Sequence, residues 1–396
     1  MPVFLVFAAC AFASGFALRL VDPIVLPVAS HFGVAATAAA MLNTAYALPY
    51  ALAQPFLGPL GDRFGKARCI QVCVAGLAVM LALGSFAPSF GFLLASRICA
   101  GVFAGGLIPL VIAGIGDGYD LDERQVMIGR MLFAIISGQM LGSFVSGIAN
   151  DAFGWRSALV IGMAIAIVAT AVAWLAMPPK AEATSAAGTH SSFAVLYRRV
   201  LANPKTPWVI GAICVEGALI YGFFPFMGEL LLAKMPGMTG TISARTGLVL
   251  GAFGIGGLLY ATAVRTLLRV FGTRRMCLIG SALTAICYGA LAFLPFWWLD
   301  GIAMMLAGLS FYMLHNSMQM EATELAPTAR GSAVALFACG FFLGQGVGPL
   351  AFGAVLHAFG SQVALLVVAA AILVLGRVVA TRIIGQPAGG LVTEVH

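Results

Sequence analysis

Long stretches without charged residues divide the chain into apolar segments. No Asp, Glu, Lys or Arg occurs between Asp22 and Asp62, or between Arg330 and Arg377. A helix needs about 20 apolar residues to cross a hydrocarbon layer about 30 Å thick, so these gaps have room for one or two crossings each. The alternation of apolar and polar residues typical of membrane barrels is absent, and we therefore predict helical spans. The twelve predicted spans cover roughly residues 3–28, 36–58, 69–88, 91–114, 128–149, 155–178, 207–233, 244–264, 275–295, 299–319, 331–356 and 362–384.

The composition requires contact with lipid. Hydrophobic residues make up 61% of the 396-residue chain and charged residues 9%, whereas soluble domains carry about 25% charged residues. We predict an all-α membrane protein, with twelve transmembrane helices in two pseudo-symmetric six-helix bundles. The lipid bilayer is therefore one of its expected partners. The eight cysteines form no CxxC pair or ligand cluster, so we expect neither a metal nor a cofactor.

The two halves of the chain resemble each other. When the sequence is shifted by 206 residues, nine of the 22 positions in 138–159 meet an identical residue, including Gln139 with Gln345. A duplication of six spans is known in transporters, whose binding site lies between the repeats. We therefore divide the chain into an N-terminal six-helix bundle (residues 1–178), a cytoplasmic linker with an amphipathic segment (179–206) and a C-terminal six-helix bundle (207–396).

The positive charges lie mainly on one side of the predicted membrane. Of the 21 Lys and Arg residues, sixteen fall in one set of loops or at the tail end, and three fall in the opposite loops. Loops rich in Lys and Arg stay in the cytoplasm, so both termini are predicted to be cytoplasmic, in a cell inner membrane. Because the net charge of +7 is explained by topology, we expect no nucleic-acid partner.

The loop between spans two and three carries a known pattern. It reads GPLGDRFGKAR over residues 58–68. This resembles the signature G-x-L-x-D-R-x-G-R-R of the major facilitator superfamily, with Lys66 at the first terminal Arg and Arg68 one position beyond the second. In span four, Arg97 and Gly101 resemble the family's R-x-x-x-G motif. The resemblance covers essentially the whole chain and implies a transporter, usually monomeric, in which two bundles rock about a central site.

The charges of this loop suggest a gate. Asp62 is placed to face a helix N-terminus, where a carboxylate is favoured, and Arg63 can pair with a carboxylate of a neighbouring loop. Such contacts would latch the two halves together on the cytoplasmic side. The alternative is that these charges only set the topology. The predicted gating loop comprises Gly58, Asp62, Arg63, Gly65, Lys66 and Arg68.

Span five contains a run of small residues. The exporter branch of the family has G-x-x-x-G-P-x-x-G-G here, whereas this chain has Ser143 at the Pro position and Ser146 at the first Gly of the pair. These changes weaken an antiporter assignment, and close packing of small residues explains the run at least as well. The helix-packing positions are Gly138, Gly142 and Gly147, and in span eleven Gly344, Gly348 and Pro349.

Four of the charged residues within predicted spans are candidates for the site. Arg19 and Asp22 are three residues apart on one helix face; they form either a static ion pair or a pair in which Asp22 carries a proton. Arg97 faces either the interior or the interface. Glu216 lies near the middle of span seven, the counterpart of span one. It is either the proton-coupling or substrate-contacting residue, or a neutral side chain bonded to another helix.

Uncharged polar residues complete the candidate cavity. Asn43 and Tyr46 are one turn apart in span two, and His315 can titrate near neutral pH in principle. His315 is either a proton relay or a hydrogen-bonding group between helices. The candidates for proton coupling or the substrate cavity are Glu216, Asp22, Arg19, Arg97, Asn43, Tyr46, Gln139, Tyr312, His315 and Asn316.

These features predict a secondary active transporter. It would move a small organic substrate by alternating access, with protons as the coupling ion and export as the direction. Uptake or facilitated diffusion of a metabolite is the alternative. A membrane enzyme would need clustered catalytic residues, and none of the usual motifs occurs, so we expect no enzyme and assign no catalytic residue. A non-transporting sensor would need a soluble signalling domain, for which no segment is long enough.

Overall fold

A computed structural model of the protein describes residues 2–118, 120–177, 193–235, 237 and 239–384. This part of the chain is helical and contains no strand. In the first half the helices are Pro2–Arg19 and Val25–Phe32 (together span one), Ala36–Phe64, Lys66–Ser85, Phe90–Gly118, Leu121–Phe153 and Arg156–Ala176.

The second half begins with a short helix, Phe193–Leu201, that precedes span seven. Span seven consists of Thr206–Tyr221 and Met227–Lys234, and span ten of Trp297–Glu324. Spans eight and nine form one long bent helix, Ile242–Leu291, and spans eleven and twelve form another, Arg330–Val378, followed by the turn Val379–Ile383.

The number of crossings agrees with the prediction. Nine helical stretches are long and apolar enough to cross a membrane. Two of them, which begin at Ile242 and Arg330, bend at a glycine and contain two spans each. With the 29-residue helix Ala36–Phe64, the twelve predicted spans are all present. The predicted fold class is therefore confirmed.

The turns between spans repeat in the two halves. Gly65 and Gly272 follow spans two and eight and have positive φ angles of 88° and 66°. Gly154 and Gly360 follow spans five and eleven, with φ angles of 82° and 81°. Only glycine adopts these angles without strain. The glycines that coincide when the sequence is compared with itself thus make equivalent turns, as expected of a duplicated bundle.

Spans one and seven are both interrupted. A 3₁₀ turn, Asp22–Ile24, divides span one around Pro23, and a second, Phe224–Phe226, divides span seven around Pro225. Proline lacks the backbone N–H of a continuing helix, which weakens the helix at each of these two points. Broken helices in membrane transporters are tolerated where they line a cavity or are buried in protein. Both interruptions are buried here.

The turns between helices lie at two faces of the molecule. We call the face that carries Gly65 and Gly272 the basic face, because most of the Lys and Arg residues lie in its loops. The face that carries Gly154 and Gly360 is the opposite face. The bundles meet along spans five and eight and along spans two and eleven. Large apolar side chains such as Phe56 and Leu175 are exposed on the outside, where lipid would cover them.

The predicted linker is only partly described. Residues 178–192 lie outside the described residues. The following helix, Phe193–Leu201, exposes Arg198 and Arg199 and buries Val200, which is the amphipathic pattern of a helix at a membrane surface. The boundaries that we assigned to the two bundles and the linker stay a prediction.

Candidate functional site

Arg19 and Asp22 lie where span one is interrupted. Arg19 ends the first helix of the span and Asp22 begins the 3₁₀ turn, so both side chains project from the break. Nη1 of Arg19 lies 3.7 Å from Oδ2 of Asp22. This distance is an ion pair but too long for a hydrogen bond. Both residues are buried, and both oxygens of Asp22 lack a hydrogen-bond donor among the described residues.

The guanidinium of Arg19 reaches the second bundle. Its Nη2 donates a hydrogen bond to Oε1 of Gln345 in span eleven, at 2.6 Å. The guanidinium carbon also lies 3.8 Å from the ring centre of Tyr221 and 5.3 Å from that of Phe224, both in span seven. These are cation–π distances. The Arg19 side chain of the first bundle therefore contacts a hydrogen-bond acceptor and two aromatic rings of the second bundle.

Arg97 of span four points into the first bundle. It is 1% exposed, and its Nη1 donates to the backbone oxygen of Ala17 at 3.1 Å. Its guanidinium carbon lies 4.1 Å from the ring centre of Tyr46. Tyr46 and Asn43 are buried too, and the Tyr46 hydroxyl has no hydrogen-bond partner among the described residues. The side chain thus occupies the interior rather than the membrane interface.

Glu216 and His315 form a pair between spans seven and ten. Nδ1 of His315 lies 2.7 Å from Oε2 of Glu216, and the Glu216 side chain is fully buried. One residue further, the amide of Asn316 donates to the Tyr260 hydroxyl at 2.9 Å. The sequence presented Glu216 and His315 as separate candidates, and the fold brings them together. A strong hydrogen bond or a shared proton satisfies Oε2 of the buried carboxylate, whereas Oε1 has no hydrogen-bond partner among the described residues.

A small cavity lies between the bundles beside Arg19. It has room for about one water molecule, so the centre of the molecule is nearly closed. Gln139 and Tyr312, both predicted as cavity residues, line it. Its walls comprise Arg19, Ile136, Gln139, Met140, Ser143, Tyr221, Phe224, Leu250, Phe253, Gly254 and Tyr312.

Hydrogen bonds close the space between the cavity and the opposite face. Near that face, Nδ2 of Asn150 donates to Oγ of Ser243 at 2.9 Å. Oδ2 of Asp151 accepts a bond of 2.8 Å from the backbone amide of Ala244, in the first turn of span eight. Closer to the centre, the hydroxyl of Thr44 donates to the backbone oxygen of Gly346 at 2.7 Å. Each of these bonds joins the first bundle to the second.

Comparison with known proteins identifies the family. Residues 7–329 match the family model of the Major Facilitator Superfamily. The chain belongs to this superfamily. The resemblance inferred from the loop motif is therefore confirmed, and the protein is a multi-pass membrane transporter.

Relatives of this superfamily member include transporters and efflux pumps. YceJ of Bacillus subtilis (strain 168), an MFS-type transporter, is 27% identical over 333 residues, which are 83% of this chain and 83% of YceJ. The PmrA homolog of Lactococcus lactis subsp. lactis (strain IL1403), a multi-drug resistance efflux pump, is 25% identical over 317 residues, or 78% of this chain and 76% of the pump. The crystal structure of the nucleoside transporter NupG superposes with a TM-score of 0.77 at 14% identity, covering 98% of this chain and all of that one.

The superfamily's loop motif makes its described contacts within one bundle. Nζ of Lys66 pairs with Asp117 at the end of span four, and the Arg63 guanidinium lies 5.3 Å from the Phe64 ring centre. Among the described residues Arg63 has no ion pair, and the expected latch to a neighbouring carboxylate stays a prediction. The side chain of Asp62 and the surroundings of Gly58 lie outside what the structure describes. Arg68 is exposed, and Gly65 supplies the turn.

The predicted packing glycines lie at close helix contacts. A methyl group at Gly138 or Gly147 would overlap a backbone oxygen, of Phe12 and Ser243 respectively, and one at Gly142 would lie 2.7 Å from that of Phe16. Small residues at such points let backbones approach closely. In the second bundle Gly344 and Gly348 likewise face backbone oxygens of span seven, from Cys214 and Ala218, and Pro349 is buried beside them.

Sequence reasoning missed two parts of the site. Gln345 was noticed only as the repeat of Gln139, although it accepts the bond from Arg19; the repeat itself was the signal, because equivalent positions of two bundles face the same centre. The second is the ion pair of Lys234 with Asp300, at 2.8 and 3.0 Å, which joins spans seven and ten near the opposite face. Nothing in the sequence separates these residues from ordinary loop charges.

Proposed function

We propose that the protein is a secondary active transporter that exports a small organic molecule in exchange for protons. The observation that carries this proposal is the position of Arg19, which lies in a nearly closed cavity and binds both bundles at once. A substrate that competes for these contacts would change how the bundles are held together. Such differential binding to two conformations is what alternating access requires.

The coupling proposal rests on the buried carboxylates. Glu216 with His315 and Asp22 with Arg19 lie inside the protein, where an uncompensated charge costs several kcal/mol. Gain or loss of a proton at either pair changes the net charge buried when the bundles close. Protonation and conformation are then linked, because the closed conformation is more stable when the buried charges are better compensated.

Transport in proteoliposomes tests the proposal. Ligands found by a thermal-shift screen of the purified protein are loaded inside, and flux is followed with and without an imposed pH gradient. We expect gradient-driven flux from the wild-type protein. Glu216→Gln should reduce that flux to the level seen without a gradient while leaving ligand counterflow in place, because counterflow needs the conformational cycle but no proton.

The matched control is Glu324→Gln. Glu324 is an exposed carboxylate that pairs with Arg330 at the basic face, at 3.3 Å, and this change should leave both fluxes unaltered. Retention of gradient-driven transport in both Glu216→Gln and Asp22→Asn would show that the coupling assignment is wrong. Absence of any flux of a bound ligand would instead favour a non-transporting sensor.

Export is the proposed direction because relatives covering most of the chain are efflux pumps. Proton-coupled uptake or facilitated diffusion is the alternative, and Ser143 favours it because the exporter pattern has proline there. The sign of the pH gradient that drives flux decides between them. A flux that follows only the ligand gradient would indicate facilitated diffusion.

We also propose that the basic face is cytoplasmic, with both termini inside and the protein in the cytoplasmic membrane as a monomer. The support is the excess of Lys and Arg in the loops of that face. Labelling of Arg63→Cys and Arg274→Cys with an impermeant thiol reagent tests this orientation. Both positions should react in inverted vesicles and stay protected in right-side-out cells.

A further inference from the structure

The central cavity is lined by charge of one sign. Among the described residues on its walls, Arg19 is the charged one. Asp22, Arg97, Glu216 and His315 are close in the fold but do not line the cavity. A molecule in this space therefore contacts a guanidinium, and no carboxylate among the described residues.

The guanidinium is incompletely satisfied. Its Nε has no hydrogen-bond acceptor among the described residues, and its ion pair with Asp22 is stretched to 3.7 Å. Its shortest bond is to Oε1 of Gln345, a neutral amide. A carboxylate, sulfonate or phosphate binds a guanidinium more strongly than an amide does, through two parallel charge-assisted bonds. Arg19 thus has unused capacity for an anion.

Aromatic side chains form the wall next to this cation. The rings of Tyr221 and Phe224 lie under the guanidinium, and Phe253 packs against both at ring-centre distances of 5.7 and 5.3 Å. Tyr312 also lines the space. Flat apolar groups stack well on such surfaces. An organic cation would not use these rings well, because Arg19 already lies over Tyr221 and would repel it.

We propose that the substrate is an organic anion with a flat apolar body. The cavity of this conformation has room for about one water molecule, so the anion binds when the bundles have moved apart. Its anionic group then binds Arg19 in place of the Gln345 amide oxygen, and its body lies against Tyr221, Phe224 and Phe253. This inference rests on the proposed transport function and names the substrate class of the same site. Because Gln345 belongs to the second bundle and Arg19 to the first, the anion replaces a bond between bundles when it binds.

Three probes that share one ring system test the charge preference. They are a naphthalene sulfonate, the corresponding neutral sulfonamide and a naphthyl trimethylammonium, titrated into the purified full-length protein by calorimetry. We expect the sulfonate to bind at least about tenfold more tightly than the other two. Equal or tighter binding of the sulfonamide or the ammonium, or no binding of the sulfonate, would overturn the inference.

Two substitutions assign the preference to Arg19. Arg19→Gln should abolish the advantage of the sulfonate, and Gln345→Glu should weaken sulfonate binding about tenfold or more, because the new carboxylate occupies the guanidinium. Gln345→Met, which supplies no charge, is the matched control and should keep the preference. Unchanged sulfonamide affinity in each variant shows that the site is still folded. A sulfonate preference that survives Arg19→Gln contradicts the assignment.

The proposed transport function and the proposed substrate class can be contradicted independently of each other. The charge preference is measured at equilibrium in detergent solution, where no gradient exists. Sulfonate selectivity without gradient-driven flux would overturn the transport function alone. Gradient-driven flux of ligands that show no charge preference would overturn the substrate class alone.

Discussion

The two ends of the interface between the bundles are built differently. Towards the opposite face, spans five and eight touch through backbone at Gly147 and are joined by the bonds of Asn150 and Asp151. Towards the basic face, the described ion pair of the gating loop, Lys66 with Asp117, stays within the first bundle. Among the described residues, the hydrogen bonds between the bundles therefore lie at the centre and towards the opposite face. Close backbone contact, rather than ion pairing, joins the bundles towards the opposite face.

The largest effect is expected from adding a methyl group at this backbone contact. Gly147→Ala would push a Cβ atom into the backbone oxygen of Ser243, and overpacking of this kind costs about 1–3 kcal/mol. The overlap destabilises this conformation, in which Gly147 contacts Ser243, so the bundles should separate at the opposite face. Hydrogen–deuterium exchange of peptides covering 147–153 and 242–247 should rise about tenfold or more.

Gly251→Ala is the control for this prediction. It lies on the same interface, and its added Cβ would stand 3.5 Å from the nearest atom, the backbone oxygen of Met140, which is ordinary contact. Exchange in the same peptides should not change. Equal exchange in both variants would mean that the contact at Gly147 does not hold the bundles together.

A smaller effect is expected from the hydrogen bond beside that contact. Asp151→Asn keeps an acceptor for the Ala244 amide but removes the negative charge at the start of span eight, which should cost about 1 kcal/mol. Exchange of the same peptides should rise a few-fold. Asp117→Asn makes the same change at the basic end, where the pair with Lys66 is partly exposed and within one bundle. Asp117→Asn should leave the exchange of these peptides unaffected. An equal rise of that exchange in Asp117→Asn would contradict the contrast between the two ends.

The smallest effect is expected from the gating loop. Arg63 makes no ion pair within the described part of the chain, and we expect a latch through it to stabilise a conformation in which the basic face is closed. Arg63→Gln would then favour the present conformation by less than about 1 kcal/mol. Hydrogen–deuterium exchange of the peptides covering 147–153 and 242–247 should fall slightly in Arg63→Gln. The control Arg68→Gln should leave that exchange unchanged. A rise in Arg63→Gln would argue against the latch.

Much of the fold could be predicted from local patterns in the chain. Spans are apolar because lipid surrounds them, and this requirement acts on each segment independently of its neighbours. The turns at Gly65 and Gly272 could be predicted by comparing the chain with itself, since a positive φ angle needs glycine wherever it occurs. The breaks at Pro23 and Pro225 also contain proline, but Pro109 and Pro349 lie inside continuous helices, so proline alone does not predict a break.

Only the packed structure decided which buried polar groups meet. Glu216 and His315 are 99 positions apart, and Arg19 and Gln345 are 326 positions apart. No periodicity within a helix relates such residues, because contacts between helices depend on the tilt and rotation of each one. The sequence by itself determined twelve spans, a duplicated layout and a set of candidate charges. The tertiary structure determined which charge lines the cavity, which carboxylate has a histidine beside it and where the described bonds between the bundles lie, since these depend on distances of a few ångströms between separate helices.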